Sequence, residues 1–220
     1  MRLHLFAWAM GSFLLLGPLA AEELKYETNF AQGADDWQPL DAAQWKVEKT
    51  ADGNVFSQFK KESTYKPPFR SPTNIALLKE KVFGDLEFTG KVKSTIPDYD
   101  HRDACVVFGY QDPAHFYYVH LGKNADEHAN QIFIVNGEAR TKISLTSTAG
   151  TNWDDNWHTV RVVRKTAGPI EIYFDDLTKP VMTANDTHFT WGQIGIGTFD
   201  DTCQWASVKA EGTKGEAKKE

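Results

Sequence analysis

The segment 153–175 constrains the fold more than any other stretch, because its pattern is typical of two antiparallel strands joined by a tight turn. In its first run, 159–165, Val160 and Val162 share one face while polar and other residues alternate with them. An Ala-Gly-Pro sequence then interrupts the pattern with turn-forming residues. Alternation resumes over 170–175, where every second residue is apolar. A β-hairpin is therefore predicted, with a tryptophan ahead of it that can close one end of a sheet-on-sheet core.

Short alternating runs separated by turn residues continue through most of the chain. The clearest is 85–95, in which Leu86, Phe88 and Val92 fall on one side and charged residues fall on the other. Such alternation indicates an antiparallel strand with one buried face and one solvated face. About a dozen runs of this kind, with no amphipathic helix and no internal repeat, predict an all-β sandwich or barrel.

The chain divides into three parts by composition. Residues 1–21 combine a basic start, an interrupted apolar run and small residues, which predicts a signal peptide and a secreted or periplasmic protein. The apolar run is shorter than the ~20 residues that a membrane span needs, and no other stretch could span. Residues 22–211 suit one jelly-roll domain. Residues 212–220 are charged and apolar-poor, which predicts a flexible tail.

Composition narrows the classes of partner. The formal net charge is -6 and no basic stripe is present, so nucleic acid is not an expected partner. Aromatic residues make up 13% of the chain, more than a core alone requires, and the surplus suits a surface that stacks on sugar rings. Secretion permits a disulfide, but the sequence leaves open whether Cys105 and Cys203 are bonded or remain buried thiols.

The hairpin resembles the central hairpin of laminin-G-like and pentraxin-like domains, which belong to the concanavalin A-like lectin/glucanase superfamily. The residues that carry this resemblance are Trp157, His158, Val160, Val162, Arg164, Ile172, Tyr173 and Asp175. The family often has Asp-Gly after the second strand, whereas here Asp175 precedes Asp176. The resemblance implies a two-sheet antiparallel jelly-roll sandwich, with Trp157 as a cap on the core and His158 at a strand start.

A wider similarity is to bacterial secreted 3-keto-disaccharide hydrolase or family 16 glycoside hydrolase-like domains. It rests on Trp37 and Trp45 near the start, the run E-K-V-F-G-D-L-E-F and the run H-F-Y-Y-V-H-L. This resemblance implies groove residues at alternate positions of the last run, which correspond to Tyr118 and His120. The polar residues differ from those of the family, so its reaction is not carried over.

Alternation identifies Tyr118 and His120 independently. Because Val119 and Leu121 form an apolar face that should enter the core, Tyr118 and His120 are expected on the opposite face, in a groove. A tyrosine and a histidine in such a groove could act as acid and base, as in polysaccharide lyases. The alternatives are a polar ligand platform or a cross-strand hydrogen bond.

Further candidates surround this pair. Arg102 could hold a carboxylate through two hydrogen bonds, although a loop arginine is often simply solvated. Asp103, Tyr110 and Gln131 are predicted with Arg102 to bind substrate. Asp103 also ends an Asp-x-Asp-x-x-Asp run with the spacing of the catalytic E-x-D-x-x-E of family 16 glycoside hydrolases, although a calcium site or a solvated loop would fit the same residues.

A second group of oxygen ligands is Asp200 and Asp201, near the last strands. Family 16-like and laminin-G-like domains often hold calcium near the rim of the sandwich, so the resemblance implies a structural calcium ion at these two residues. Calcium prefers several oxygen ligands.

Three functions remain open on this basis. The first is a secreted carbohydrate-binding domain that engages a polysaccharide or oligosaccharide on its concave face. The second is a glycoside hydrolase or polysaccharide lyase that uses the same groove. The third is a laminin-G-like adhesion module that binds a protein. The sequence does not determine whether the protein is an enzyme, because no catalytic carboxylate pair is secure.

Overall fold

The computed structural model describes residues 21–216, whose regular secondary structure consists of β-strands and one short 3₁₀ helix, Ala42–Gln44. In chain order the strands are β1 (Glu23–Thr28), β2 (Trp37–Pro39), β3 (Trp45–Thr50), β4 (Gly53–Gln58), β5 (Asn74–Leu78), β6 (Phe83–Ser94), β7 (Asp103–Asp112), β8 (His115–Gly122), β9 (Gln131–Asn136), β10 (Thr141–Lys142), β11 (Ser144–Ser147), β12 (His158–Arg164), β13 (Pro169–Phe174), β14 (Met182–Asn185), β15 (Gln193–Thr198) and β16 (Cys203–Lys214).

The strands build two antiparallel sheets. The nine-stranded sheet has the order β11-β14-β13-β12-β6-β16-β4-β3, and β1 also pairs with β16. The seven-stranded sheet has the order β10-β9-β8-β7-β15-β5-β2. The predicted all-β jelly-roll sandwich of two antiparallel sheets is confirmed.

The core lies between the sheets and follows the predicted alternation. On β6, Phe88 and Val92 are fully buried, whereas Thr89 and Lys91 on the other face are accessible to solvent. Trp205 on the neighbouring β16 is also fully buried and contacts Phe88 edge-on, with ring centroids 6.2 Å apart. Gly90 leaves the space for this ring, because a Cβ there would lie 2.6 Å from the Trp205 side chain. Strand β8 supplies Val119 from the opposite sheet.

The predicted hairpin is present as β12 and β13, but a different tryptophan closes the core beside it. Trp153 is buried, donates its indole N–H to the Leu121 carbonyl at 2.8 Å, and packs edge-on against Phe174. Trp157, expected to be the cap, lies partly exposed and donates to Asp52. His158 is at the strand start, as predicted.

The segment 140–145, whose alternation is typical of a single strand, forms parts of two short strands in different sheets. Strand β10 pairs with β9 in the seven-stranded sheet, whereas β11 pairs with β14 in the nine-stranded sheet. Ile143 lies between them, donates its N–H to the Ile132 carbonyl and packs against the core. The chain therefore crosses from one sheet to the other at a position where the sequence shows a single alternating run.

Two predicted boundaries, the end of the signal peptide and the start of the tail, lie near the ends of the described residues. The expected signal peptide, 1–21, lies outside the described residues except for Ala21. The expected tail begins at 212, but β16 continues to Lys214, whose N–H donates to the Glu22 carbonyl at 2.7 Å. Edge pairing with β1 therefore carries the strand past the predicted boundary. Within residues 21–216, no helix is long and apolar enough to cross a membrane.

The two cysteines are free and buried, which is one of the two outcomes that the sequence left open. Cys105 lies on β7 and Cys203 on β16, so the two residues belong to different sheets. Cys203 packs in the core between the sheets, whereas Cys105 packs on the opposite face of the seven-stranded sheet.

We expect Trp205→Ala to lower the free energy of unfolding by about 3–5 kcal/mol, because it removes the largest fully buried side chain and leaves a cavity. Urea titration followed by circular dichroism measures this loss. Trp157→Ala serves as the matched control and should cost less than about 1 kcal/mol, since that ring is partly exposed. Equal losses for the two variants would contradict the assigned core.

Candidate functional site

The face of the seven-stranded sheet that points away from the core, here called the outer face, carries the predicted site residues. On β8, Val119 and Leu121 enter the core, while Tyr118 and His120 lie on the outer face. The direction of these two side chains is therefore as predicted. They do not line an open groove, however, because Tyr118 is fully buried and His120 is 8% exposed.

A second apolar layer on the outer face explains this burial. Its members come from the strands of the seven-stranded sheet and are Ile75, Leu77, Cys105, Val107, Tyr110, Phe116, Tyr118, Phe133 and Val135. Phe69 and Phe199 pack against this layer from the connecting segments. Phe69 belongs to a proline-rich loop, 66–72, which therefore contributes to the cover of this layer. The available sequence signal was the near-continuous apolar character of β5 and β7, which is typical of strands buried on both faces.

His120 forms a buried pair with Asp103. Its Nε2 lies 2.7 Å from Oδ2 of Asp103, and its Nδ1 lies 2.7 Å from the backbone carbonyl of His128. The other oxygen of Asp103 accepts from the N–H of Phe199 at 3.1 Å. Because both ring nitrogens of His120 face acceptors, the ring is fully satisfied only when both nitrogens carry a proton.

The electrostatics agree with this protonation. Burial by itself would lower the pKa of His120, but the charge of Asp103 and the hydrogen bonds to Asp103 and to the His128 carbonyl outweigh it. The pKa of His120 is therefore raised above its ordinary value. A charged pair of this kind holds β7 and β8 together, and it leaves His120 without a free nitrogen for proton abstraction.

A second carboxylate, Asp201, lies beside this pair. It accepts from the Asp103 N–H at 3.0 Å and from the Tyr99 hydroxyl at 2.5 Å. Burial, and secondarily repulsion from Asp103, raises the pKa of Asp201 to about 6. Both of its oxygens thus have protein donors. Asp200, its predicted partner in calcium binding, is exposed.

Calcium at Asp200 and Asp201 stays a prediction. Among the residues that the structure describes, the group with donor atoms close enough for a metal is Asp103, Cys105 and His120, whose atoms lie within 4.8 Å of one another. This group contains one carboxylate, a thiol and an imidazole, and calcium prefers six to eight oxygen ligands. Burial also raises the pKa of the Cys105 thiol, which favours its protonated form.

The other predicted binding residues have structural partners. Arg102 is 1% exposed and donates from Nη2 to the Ile96 carbonyl and to Asp155, both at 2.6 Å. Tyr110 packs against Phe116 within the outer layer. Gln131 lies opposite His120 on β9 and donates to the Asp126 carbonyl at 2.9 Å. The structure therefore brings Asp103, His120 and Gln131 together and directs Arg102 to a separate contact.

The Asp-x-Asp-x-x-Asp run does not form a catalytic pair on one strand face. Asp98 lies in an exposed loop and accepts from the Lys123 ammonium at 2.6 Å. Asp103 is buried at the start of β7 and is committed to His120. Glycoside hydrolysis requires two carboxyls that flank one scissile bond, and these residues instead have different partners.

The sequence analysis missed Arg140, which lies over the outer face. Its guanidinium lies over the rings of Phe133 and Phe199, 4.6 and 4.7 Å from their centroids. Its Nη1 donates to the Tyr118 hydroxyl at 2.7 Å. These partners come from β8, β9 and the end of β15, so no local sequence signal marks the residue.

Arg140 also borders a surface depression of about 360 Å³, here called the Arg140 depression. Its lining residues are Arg70, Glu127, His128, Phe133, Ala139, Arg140 and Lys142. A depression of similar size, about 340 Å³, lies against β1, β6 and β16, but its charged residues are all engaged in ion pairs, as Lys165 is with Asp85 and Glu87 is with Arg161. The Arg140 depression is therefore the better candidate for a ligand site.

The free energy of unfolding should fall as pH rises above about 6.5, because the pKa of His120 is higher in the folded protein than in the unfolded chain. Its contribution is complete below the unfolded value of about 6.5 and is lost as pH passes the folded pKa. Each unit of difference between the two pKa values is worth about 1.4 kcal/mol.

Urea unfolding at several pH values between 6 and 9 measures this slope for the wild type and for His120→Gln. The substitution should flatten it, because glutamine does not titrate. His101→Gln is the control, since His101 is exposed, and it should keep the wild-type slope. An unchanged slope in His120→Gln would contradict the charged pair.

Solved structures of similar fold place the protein among β-sandwich domains. No protein-family model and no curated protein matches the chain. The carbohydrate-binding module CBM66 from Bacillus subtilis aligns with a TM-score of 0.57 and 16% identity, covering 80% of this chain and 95% of that chain. Winged bean acidic lectin, complexed with methyl-α-D-galactose, aligns with a TM-score of 0.55 and 12% identity, covering 89% of this chain and 100% of that chain.

A third similar structure is domain 4 of AbnA, an extracellular GH43 arabinanase from Geobacillus stearothermophilus, in complex with arabinotriose. Its TM-score is 0.54 at 8% identity, and the alignment covers 88% of this chain and 94% of that chain. At such low identities the likeness concerns the fold alone. The chain thus has a jelly-roll sandwich fold like that of lectin and glycosidase-associated domains.

Proposed function

We propose that this protein is a secreted carbohydrate-binding domain that engages a polysaccharide or oligosaccharide on the outer face of the seven-stranded sheet. This is the face that the sequence predicted to be the concave groove. The observation that carries the proposal is the Arg140 depression, in which a guanidinium of fixed orientation lies beside aromatic rings.

The chemistry of this depression suits a sugar. A sugar ring offers hydroxyl groups at its edge and apolar C–H groups on its face. Arg140 and His128 provide polar groups among the lining residues, while Phe133 supplies apolar surface below the Arg140 guanidinium. Ligand sites typically combine apolar surface with a few oriented polar groups and measure about 300–1,000 Å³, a range that includes this depression.

The similar structures support the same class of ligand. They include a carbohydrate-binding module, a lectin with a bound galactoside and a domain with bound arabinotriose. The predicted signal peptide supports export, where polysaccharides are accessible. Fold similarity alone does not establish function, so the proposal rests on the depression together with these likenesses.

Binding is proposed rather than catalysis because the candidate catalytic groups are already engaged. Both nitrogens of His120 have acceptors, and the hydroxyl of Tyr118 accepts from Arg140. Burial also raises the pKa of the Tyr118 phenol, which opposes its use as a base. Asp103 is committed to His120 and to the Phe199 N–H.

Phe199→Ala should weaken glycan binding about 10-fold or more, because it removes one of the two rings that hold the Arg140 guanidinium in place. A glycan array identifies the ligand, and titration calorimetry with that ligand measures the loss. Phe59→Ala is the matched control, since Phe59 is likewise a ring below a cationic side chain, but that side chain is Lys46 of β3, away from the depression. It should bind as the wild type does.

The absence of binding by the folded wild-type protein across a broad array of neutral and acidic glycans would refute the proposal. A stable protein partner recovered together with such a negative array would favour an adhesion role. Release of reducing ends or unsaturated products from a bound glycan would instead indicate an enzyme.

A further inference from the structure

We infer that the glycan is anionic and that Arg140 and Arg70 bind its carboxylate or sulfate group. This inference rests on the proposed function and concerns the same depression. It specifies the chemical class of the ligand, which neither the fold nor the similar structures indicate.

The geometry of Arg140 is the first argument. Two aromatic rings and the Tyr118 hydroxyl hold its guanidinium plane in place. Only Nη1 of Arg140 donates to the Tyr118 hydroxyl. The other two nitrogens, Nε and Nη2, donate to no protein acceptor within residues 21–216. A planar group with free donors matches a carboxylate or sulfate, which can accept two parallel hydrogen bonds.

The second argument is that the charge of the two arginines is not neutralised. Neither Arg140 nor Arg70 forms an ion pair with a carboxylate in the described part of the chain. By contrast, Arg102 pairs with Asp155, and Arg161 pairs with Glu87. Arg70 is exposed and lies 5.8 Å from the centroid of the Phe199 ring, so both cations contact the same aromatic ring.

The other charges around the depression leave this positive character in place. Glu127 is the acidic lining residue, and Lys142 binds its carboxylate at 2.6 Å. Beneath the surface, His120 and Asp103 form their own pair. The formal net charge of the chain is -6, so a local excess of cations here does not follow from bulk composition.

A neutral sugar would leave this excess charge uncompensated, whereas a uronate or a sulfated sugar would neutralise it. In a partly enclosed site, a guanidinium and an anion attract each other more strongly than in bulk water. Arg140 therefore acts as a determinant of specificity for acidic over neutral glycans, in addition to covering the outer apolar layer.

Matched pairs of glycans test the inference. Polygalacturonate is compared with its fully methyl-esterified form, and chondroitin sulfate with desulfated chondroitin, by titration calorimetry on the full chain at low and high salt. The wild type should bind an acidic member at least about 10-fold more tightly than its less charged partner, and salt should weaken that binding. The two pairs distinguish a carboxylate ligand from a sulfate ligand.

Variants separate recognition from folding. Arg140→Gln should lose about 10-fold or more in affinity for the acidic glycan, and Arg140→Lys should restore only part of it, because lysine lacks the planar fork. Arg70→Gln changes an exposed residue, so it should reduce affinity without loss of thermal stability. The matched control is Arg161→Gln, an arginine over the Tyr173 ring on the other sheet, which should bind normally.

The possible results test carbohydrate binding and the anionic character of the glycan separately. Equal binding of acidic and neutral glycans, or full affinity in both Arg140→Gln and Arg70→Gln, overturns the inference and leaves carbohydrate binding intact. Binding of no glycan overturns carbohydrate binding and the inference with it. Equally tight, arginine-dependent binding of a short single-stranded oligonucleotide also overturns the inference, because the site would then respond to any polyanion.

Discussion

The seven-stranded sheet is buried on both faces, and the rest of the candidate site depends on this constraint. One face packs on the nine-stranded sheet, while the other carries a second apolar layer covered by Phe69, Phe199 and Arg140. A polar group that lies under such a cover is removed from water and must find a partner within the protein. The hydrogen-bonded positions of Asp103, His120 and Tyr118 follow from that requirement.

Burial therefore separates the residues that stabilise the outer face from those that can contact a ligand. His120 and Asp103 satisfy each other below the surface, and the charge of Asp103 keeps the pKa of His120 raised despite burial. Arg140 lies over the outer layer, with its guanidinium against Phe133 and Phe199 and at the border of the depression. Long cationic side chains often cover apolar surface in this way while their charge stays at the boundary with water. Ligand recognition is therefore proposed for the residues that cover the outer layer rather than for the residues of the strands below.

Sequence reasoning identified the faces of the strands more reliably than the environments of the side chains. The directions of Tyr118 and His120 follow from the period of two and are correct. Their exposure could not be derived in the same way, since it depends on loops that return from distant parts of the chain. The same limit explains Trp153, which replaces Trp157 as the cap because the Leu121 carbonyl lies within its reach. It also explains the sheet change at Ile143, which no local pattern records.

The amino-acid sequence by itself determined the all-β sandwich, because alternating apolar residues can bury one face only as strands in packed sheets. It also determined which residues of β8 leave the core. Only the tertiary structure decided that Phe133, Phe199 and Tyr118 converge on Arg140, because these residues lie on separate strands whose spatial order is set by long-range pairing. The guanidinium acquires its fixed plane and its uncompensated charge from that convergence, and neither property is encoded near position 140.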